Sequence, residues 1–257
     1  MTMSRKRYRE SVLMLEKRIA KPFATHQQKM LTKVFKKAIE LAKKGKLKEA
    51  VKAPNSLTRE QRDLIKGFYF KTAETIGEFV RNTSFPGVKM EQKDVISEAY
   101  WDAVDDYVSM QTAKQVTRMN ATSRMMIKDV IDEGMKEGLG NYAIAEKLQE
   151  KLLKKAIITK VRAELIARTE VHNCSGYSAN EMAKAIPVIK EKSWEATFDD
   201  RTREEHEDVD DSWIDYEEHF YVGGEKMEYP GDSSASARNL CNCRCVCLYR
   251  ERKGDGR

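Results

Sequence analysis

Apolar residues recur every three to four positions over most of the chain and switch to alternation only near its C-terminal quarter. Val12, Leu15 and Ile19 predict a first helix over 4–21, with Ser4 and Ser11 as cap candidates and Pro22 as its stop. Over 25–52, Leu31, Val34, Phe35, Ala38, Ile39 and Leu41 form a stripe opposite Lys33, Lys36, Lys37, Lys43 and Lys44, which predicts a second helix. Pro54-Asn55-Ser56 breaks that pattern. Thr58 and Gln61 then read as a capping box for a third helix, whose stripe is Leu64, Ile65, Phe68, Thr72, Ile76, Phe79 and Val80. It is expected to end before Phe85-Pro86-Gly87.

Helical spacing resumes over 91–136. Tyr100, Val104 and Tyr107, and later Met125, Met126, Ile127, Val130, Ile131 and Met135, read as core. Gly134, Gly138 and Gly140 interrupt this stretch, and a short helix follows from Asn141 to about Leu153. A last long helix is expected over 158–184, with Val161, Leu165, Ile166 and Ala167 on its apolar side. Pro187 ends the helical pattern, and the change of character falls at 186–191. Beyond it, Lys192 to Phe198 reads as a strand. Arg201 to Val209 reads as a short helix capped by Asp199 or Asp200. Phe220 to Val222 and Lys226 to Tyr229 flank a Gly223-Gly224 hairpin turn, and Arg244 to Arg250 reads as the closing strand. The fold class is therefore α+β: a mainly helical N-terminal region followed by a small C-terminal module with a short antiparallel sheet.

Charge sharpens this division. The 257 residues carry a net charge of +6. Residues 1–60 hold 17 Lys/Arg against 5 Asp/Glu, whereas residues 195–232 hold 3 against 15. A basic end suits nucleic acid or an acidic protein surface, although the same lysines also serve as the solvated face of a helix. No run of 18 apolar residues occurs, so no membrane-spanning helix is expected, and the charged first 20 residues do not resemble a secretory signal. The glycine-punctuated helices around Gly138 are also compatible with a DNA-binding regulator.

Four of the five cysteines stand at alternate positions, 241, 243, 245 and 247, which points to reduced thiols rather than several disulfides. Alternate strand residues share a face, so two of these thiolates with His206 suit a tetrahedral zinc site, with His219 or Cys174 as further donors. The candidate set for structural zinc is His206, Cys241, Cys243 and Cys245. The spacing is C-x-C rather than C-x-x-C, and a buried strand of small residues has the same pattern. The acidic run from Asp199 to Asp211 around His206 suits a divalent-metal nuclease or hydrolase if its carboxylates converge. Phosphate-loop, H-E-x-x-H and G-x-S-x-G motifs are absent from the sequence. Arg203 is placed to pair with Asp199 or Asp200, and His172 reads as a surface or internally satisfied histidine.

Five phrases then occur in a specific order: ARTEVHN with Arg168 and Glu170; Trp194; DDRTREEH with Asp199, Arg201, Arg203 and His206; Pro230-Gly231-Asp232 after Phe220; and Asn242-Cys243-Arg244-Cys245. Together they resemble the phage Mu protein F-like family of head morphogenesis, or minor head, proteins over roughly residues 125–249. The resemblance implies a non-enzymatic structural protein of a tailed phage or prophage. It would be found inside the head near the portal and, during assembly, in the host cytoplasm. Its implied partners are the portal protein, other head proteins and, nonspecifically, double-stranded DNA, with Lys33, Lys36, Lys37, Lys43 and Lys44 as the contact candidates. Family members commonly end on a single N-C-R-C phrase, and here Cys241 and Cys247 are added. The chain accordingly divides into a basic helical region over 1–120, the helical part of the Mu F-like module over 121–188, a small α+β module over 189–250 and a frayed tail over 251–257.

Overall fold

The computed structural model describes residues 3–87, 93–154 and 156–252. The fold is mainly helical with a small antiparallel-sheet module at the C-terminal end, as the patterning predicts. Four long helices dominate: α1 (Arg5–Lys43), α3 (Thr58–Ser84), α4 (Lys93–Lys136) and α6 (Ala156–Ala185). Between them lie the short helices α2 (Leu47–Lys52) and α5 (Asn141–Gln149), a 3₁₀ turn at Ala53–Leu57 and a π turn at Glu150–Lys154. After α6 come β1 (Lys190–Glu195), α7 (Glu204–Glu207), β2 (Trp213–Asp215), β3 (Phe220–Val222), β4 (Glu225–Met227), α8 (Ala237–Leu240) and β5 (Val246–Glu251). The tail from Lys253 lies outside the described residues.

Several local expectations are corrected. Pro22 does not stop the first helix, because α1 runs through it. Pro22 is exposed, so the Arg18 carbonyl that it deprives of an amide remains open to water, while Ile19, Ala20, Phe23 and Ala24 are buried on the other side. The second predicted helix instead ends at Lys43 and is replaced by a turn and α2. Ser4 does cap α1, accepting from the Arg7 amide at 3.4 Å, but Ser11 donates back to the Arg7 carbonyl at 2.9 Å within the helix. The capping box at Thr58 does not form: Thr58 is already helical, because the 3₁₀ turn feeds into α3, and its hydroxyl donates to the Asn55 carbonyl at 2.8 Å. Met125, Met135, Val161 and Leu165 are exposed rather than core. On α6 the buried line instead runs through Thr159, Ala163, Ala167 and Cys174, small residues that allow close helix packing.

The chain forms two compact units. One comprises Lys21–Gly67 and Val108–Ala167. Its core joins Leu31, Val34, Phe35 and Ala38 of α1 to Ile127 and Ile131 of α4 and to Ile144 and Leu148 of α5. Gly138 ends α4, with the Leu139 amide bonded to the Gly134 carbonyl at 2.9 Å.

The other unit comprises Met1–Ala20, Phe68–Tyr107 and Arg168–Arg257. An aromatic chain runs through its helices: Tyr69 meets Tyr107 at 5.8 Å, Tyr107 stacks on Tyr177 at 4.1 Å, and Tyr177 meets Tyr229 edge-on at 6.4 Å. Its sheet has the order β2-β1-β5, all antiparallel, with Ser193 opposite Leu248 and Trp194 opposite Cys247. The separate β3-β4 hairpin turns through Gly223 and Gly224, both at positive φ, as the Gly-Gly pair predicts. Arg5 and Arg9 of α1 each reach Glu195 of β1 at 2.8 Å. The Tyr216 hydroxyl donates to the Asn180 carbonyl of α6 at 2.9 Å.

Gly176 marks where α6 carries the Tyr229–Pro230 turn. A Cβ there would lie 2.2 Å from the Pro230 carbonyl oxygen, whereas a Cβ at Gly67 would meet nothing within 4 Å. Gly176→Ala is expected to cost about 1–3 kcal/mol through forced backbone displacement, seen as a lowered melting temperature. Gly67→Ala, in an exposed helical position, should be neutral or slightly stabilising. Equal melting temperatures for both variants would show that the turn does not rest on α6 this closely.

Candidate metal centre and the adjoining arginine pocket

Arg203 is extended and starts α7, which turns His206 inward until it is 1% exposed. Asn239 at the end of α8 fixes the imidazole. Its amide nitrogen donates to the Val222 carbonyl at 3.2 Å and to Glu225 at 3.0 Å, so its oxygen is the atom that faces His206 Nε2, at 3.2 Å. Nε2 therefore carries the proton, and Nδ1 is left with a free lone pair. That lone pair faces two thiols, Cys245 Sγ at 3.4 Å and Cys243 Sγ at 3.6 Å. All three donors are buried and form one convergent group. A nitrogen and a sulfur bound to the same tetrahedral zinc stand about 3.5 Å apart, so the donor set and its spacing suit that ion.

The two thiols are driven apart: the hydrogen bond to Cys245, with burial, holds the Cys243 thiol well above the usual range, so Cys245 is the one primed for deprotonation. The hydrogen bond from Cys243 holds the Cys245 thiol well below the usual range, against burial. The indole N–H of Trp194, which has no other partner among the described residues, also favours the Cys245 thiolate. Trp194 is fully buried and meets His206 edge-on at 5.4 Å. Burial instead pushes the Cys247 thiol up to about 11 and the Cys174 thiol up to about 12, as expected of inert core cysteines.

Of the four residues in the sequence-derived metal set, the structure gathers His206, Cys243 and Cys245 and leaves Cys241 exposed, outside the group. The two auxiliary donors stand elsewhere. Cys174 donates to the Tyr69 carbonyl at 3.4 Å, and His219 faces Glu228 at 3.8 Å. The carboxylates of the acidic run do not converge with His206. Glu205 pairs with Arg238, Asp210 accepts from the Ala196 amide at 2.6 Å, and Asp211 meets Arg5 at 2.6 Å. Among the described residues the one convergent donor group contains no carboxylate.

The motif residues surround this centre. Asp199 does not cap α7, nor does it pair with Arg203. It accepts from the Arg201 amide at 3.0 Å and holds Arg244 in a two-pronged pair, with Nη2 to Oδ1 at 2.6 Å. Arg203 instead donates to the Cys241 carbonyl at 2.7 Å. Asp232 staples its own turn, accepting from the Glu228 and Ser234 amides at 2.9 Å each. Glu170 receives the Tyr69 hydroxyl, and His172 is buried with Nδ1 3.2 Å from Glu16. Arg168, Arg201, Arg203 and Arg244 line one pocket of about 410 Å³ together with Cys241, Asn242 and Cys243. Asn239 was missed in the sequence, where nothing distinguishes it from any other polar residue. In the other unit, Lys33, Lys36, Lys37, Lys43 and Lys44 are all exposed, and Lys33 pairs with Glu60 at 3.0 Å.

Residues 125–248 match the family profile described as Phage Mu protein F like protein, so this stretch is a Mu F-like module, as its ordered motifs imply. Over nearly its whole length the chain is similar to a phage minor head protein. It is 25% identical over 262 aligned positions to Minor head protein GP7 of Bacillus phage SPP1, a match spanning 91% of this chain and 81% of that one. A second relative is NAD(+)--arginine ADP-ribosyltransferase EFV of Enterococcus faecalis, 30% identical over 86 residues. That match spans 32% of this chain and only 18% of the transferase. No solved structure matches.

The Asp199–Arg244 pair generates a pH prediction. The hydrogen bonds from Arg244 hold the Asp199 carboxyl well below the usual carboxylate range. A group whose pKa is depressed on folding stabilises above its unfolded value, about 3.9, and loses that contribution as pH falls through the folded one. Asp199→Asn should therefore melt below the wild type at neutral pH, with the gap closing under acid. A gap independent of pH would assign the loss to something other than the charge.

Proposed function

We propose that this protein acts in phage head assembly by docking on the portal, and that it contacts packaged double-stranded DNA inside the head. The likeness to a minor head protein across nine-tenths of the chain carries this reading. The lysine face of α1 supports the DNA contact: Lys36, Lys37, Lys43 and Lys44 are exposed, and no carboxylate bridges them among the described residues. Such a face neutralises phosphates without reading bases. The nuclease alternative loses its basis, because the carboxylates near His206 are spent on arginines and amides.

Changing these four lysines together to Gln should weaken duplex binding. It should also lower the slope of log affinity against log salt by about 3–4, while co-purification with the phage's own portal protein persists. Anisotropy with a labelled duplex at several salt concentrations gives the slope. An unchanged slope would remove this face from the DNA contact, and loss of portal binding would make it the dock.

We further propose that His206, Cys243 and Cys245 hold one zinc ion, with solvent completing the tetrahedron. The ion would clamp α7 to the segment entering β5. Protein purified without chelator should then contain close to one zinc per chain. Cys243→Ser and Cys245→Ser should lose it, and Cys241→Ser should retain it. Wild-type protein with far less zinc than chain would overturn the assignment.

A further inference from the structure

Residues 195–232 carry 15 acidic and only 3 basic side chains, yet two of those three, Arg201 and Arg203, face the same pocket. Arg168 of α6 and Arg244 of the cysteine run face it too. Charge within this space is unbalanced. Asp199 is the carboxylate that answers the four guanidiniums most closely, and Arg244 takes both of its oxygens. Arg201 reaches Asp199 only at 3.7 Å and the exposed Asp200 at 3.9 Å. Arg203 is spent on a carbonyl, and the Arg168 side chain has no hydrogen bond or ion pair among the described residues. Two further acids of the module are engaged elsewhere: Glu205 with Arg238, Glu195 with Arg5 and Arg9. Four converging guanidiniums in an otherwise acidic module repel one another unless an anion sits between them. Their planar forks match the oxygens of a phosphate in geometry and charge.

We propose that this pocket is a binding site for a phosphate group. The inference rests on the head-protein reading only for the source of that group, a phosphodiester of DNA rather than a free phosphate ion. At about 410 Å³ the space exceeds a lone phosphate ion and has room for the sugars that flank a backbone phosphate. Asn242 on the wall supplies a further polar group beside the guanidiniums. The lysine face lies in the other unit, so the two contacts can be removed separately.

The test uses the full chain and inorganic phosphate. Thermal unfolding is followed during titration with phosphate at constant ionic strength, with chloride as the comparison anion. Phosphate should raise the melting temperature of the wild type well beyond chloride. Arg168→Gln removes a side chain with no internal partner among the described residues and relieves part of the repulsion, so its unliganded melting temperature should be no lower than that of the wild type. It should weaken the phosphate effect roughly tenfold in concentration. Arg168→Lys should restore part of it, because it keeps the charge but loses the fork. A wild type no more stabilised by phosphate than by chloride overturns the proposal, as does an equal effect in Arg168→Gln. A labelled duplex then identifies the source. If Arg168→Gln weakens duplex binding and phosphate displaces the duplex, the group belongs to DNA. If duplex binding is unchanged while the phosphate effect is lost, the pocket serves a free phosphate. A wild type that binds no duplex at all defeats the DNA reading, while the phosphate titration still decides the pocket.

Discussion

A three-stranded sheet and a two-stranded hairpin, with strands of three to six residues, bury too little apolar surface to hold themselves in one arrangement. The C-terminal module meets this constraint with anchors rather than with a large core. Trp194 supplies the apolar centre, fully buried between His206 and Phe220. Around it stand polar staples that link segments distant in sequence: Arg5 and Arg9 on Glu195, Tyr216 on Asn180, Arg244 on Asp199, and the His206–Cys243–Cys245 group. Each has geometry strict enough to select one register, which a small apolar core selects only weakly.

The central strand shows the consequence. Lys192, Ser193, Trp194 and Glu195 are all buried, although two of the four are charged. Burial pushes the Glu195 carboxyl up, and the two arginines of α1 oppose that shift. Lys192 lies over the rings of Tyr216 and Phe220, at 5.3 and 5.5 Å, and burial pulls its ammonium down. Removing one member of such a set leaves an uncompensated buried charge, so the strand tolerates little substitution.

These facts set the limits of what was legible in the sequence. The long helices, the Gly223-Gly224 hairpin and the closing strand follow from periodicity and turn chemistry, which are local. The continuity of α1 through Pro22 was not legible, because it depends on which face of the helix meets solvent. Nor was the exposure of Met125 and Val161, since an apolar residue does not announce its side of a helix. At the site, the alternating cysteines and His206 pointed to one another, because residue type restricts their chemistry. Alternation alone could not separate Cys241, which ends α8, from Cys243 and Cys245, which approach β5. The partners of Arg203 and Asp199 were misassigned for a related reason. Sequence neighbours of opposite charge are the natural guess, whereas the fold pairs Asp199 with Arg244, 45 residues away.

That long-range pair explains why one short segment serves two environments. From Cys241 to Cys245, Cys243 and Cys245 turn into the buried donor group beside His206, while Arg244 between them turns out toward Asp199 and the pocket. Asn242 helps the chain make this change, standing at φ 58° on the pocket wall. Cys243 touches both spaces, as a member of the donor group and part of the pocket lining. Whatever fixes the two thiols therefore fixes the orientation of Arg244 by one residue of backbone, and with it Asp199, whose closest contacts go to Arg244 rather than to the Arg201 guanidinium. A segment built this way couples order at the buried centre to positive charge in the pocket. The pocket arginines outnumber the carboxylate that answers them, because Asp199 gives both oxygens to Arg244, whose backbone neighbours are both anchored, and reaches Arg201 only at 3.7 Å.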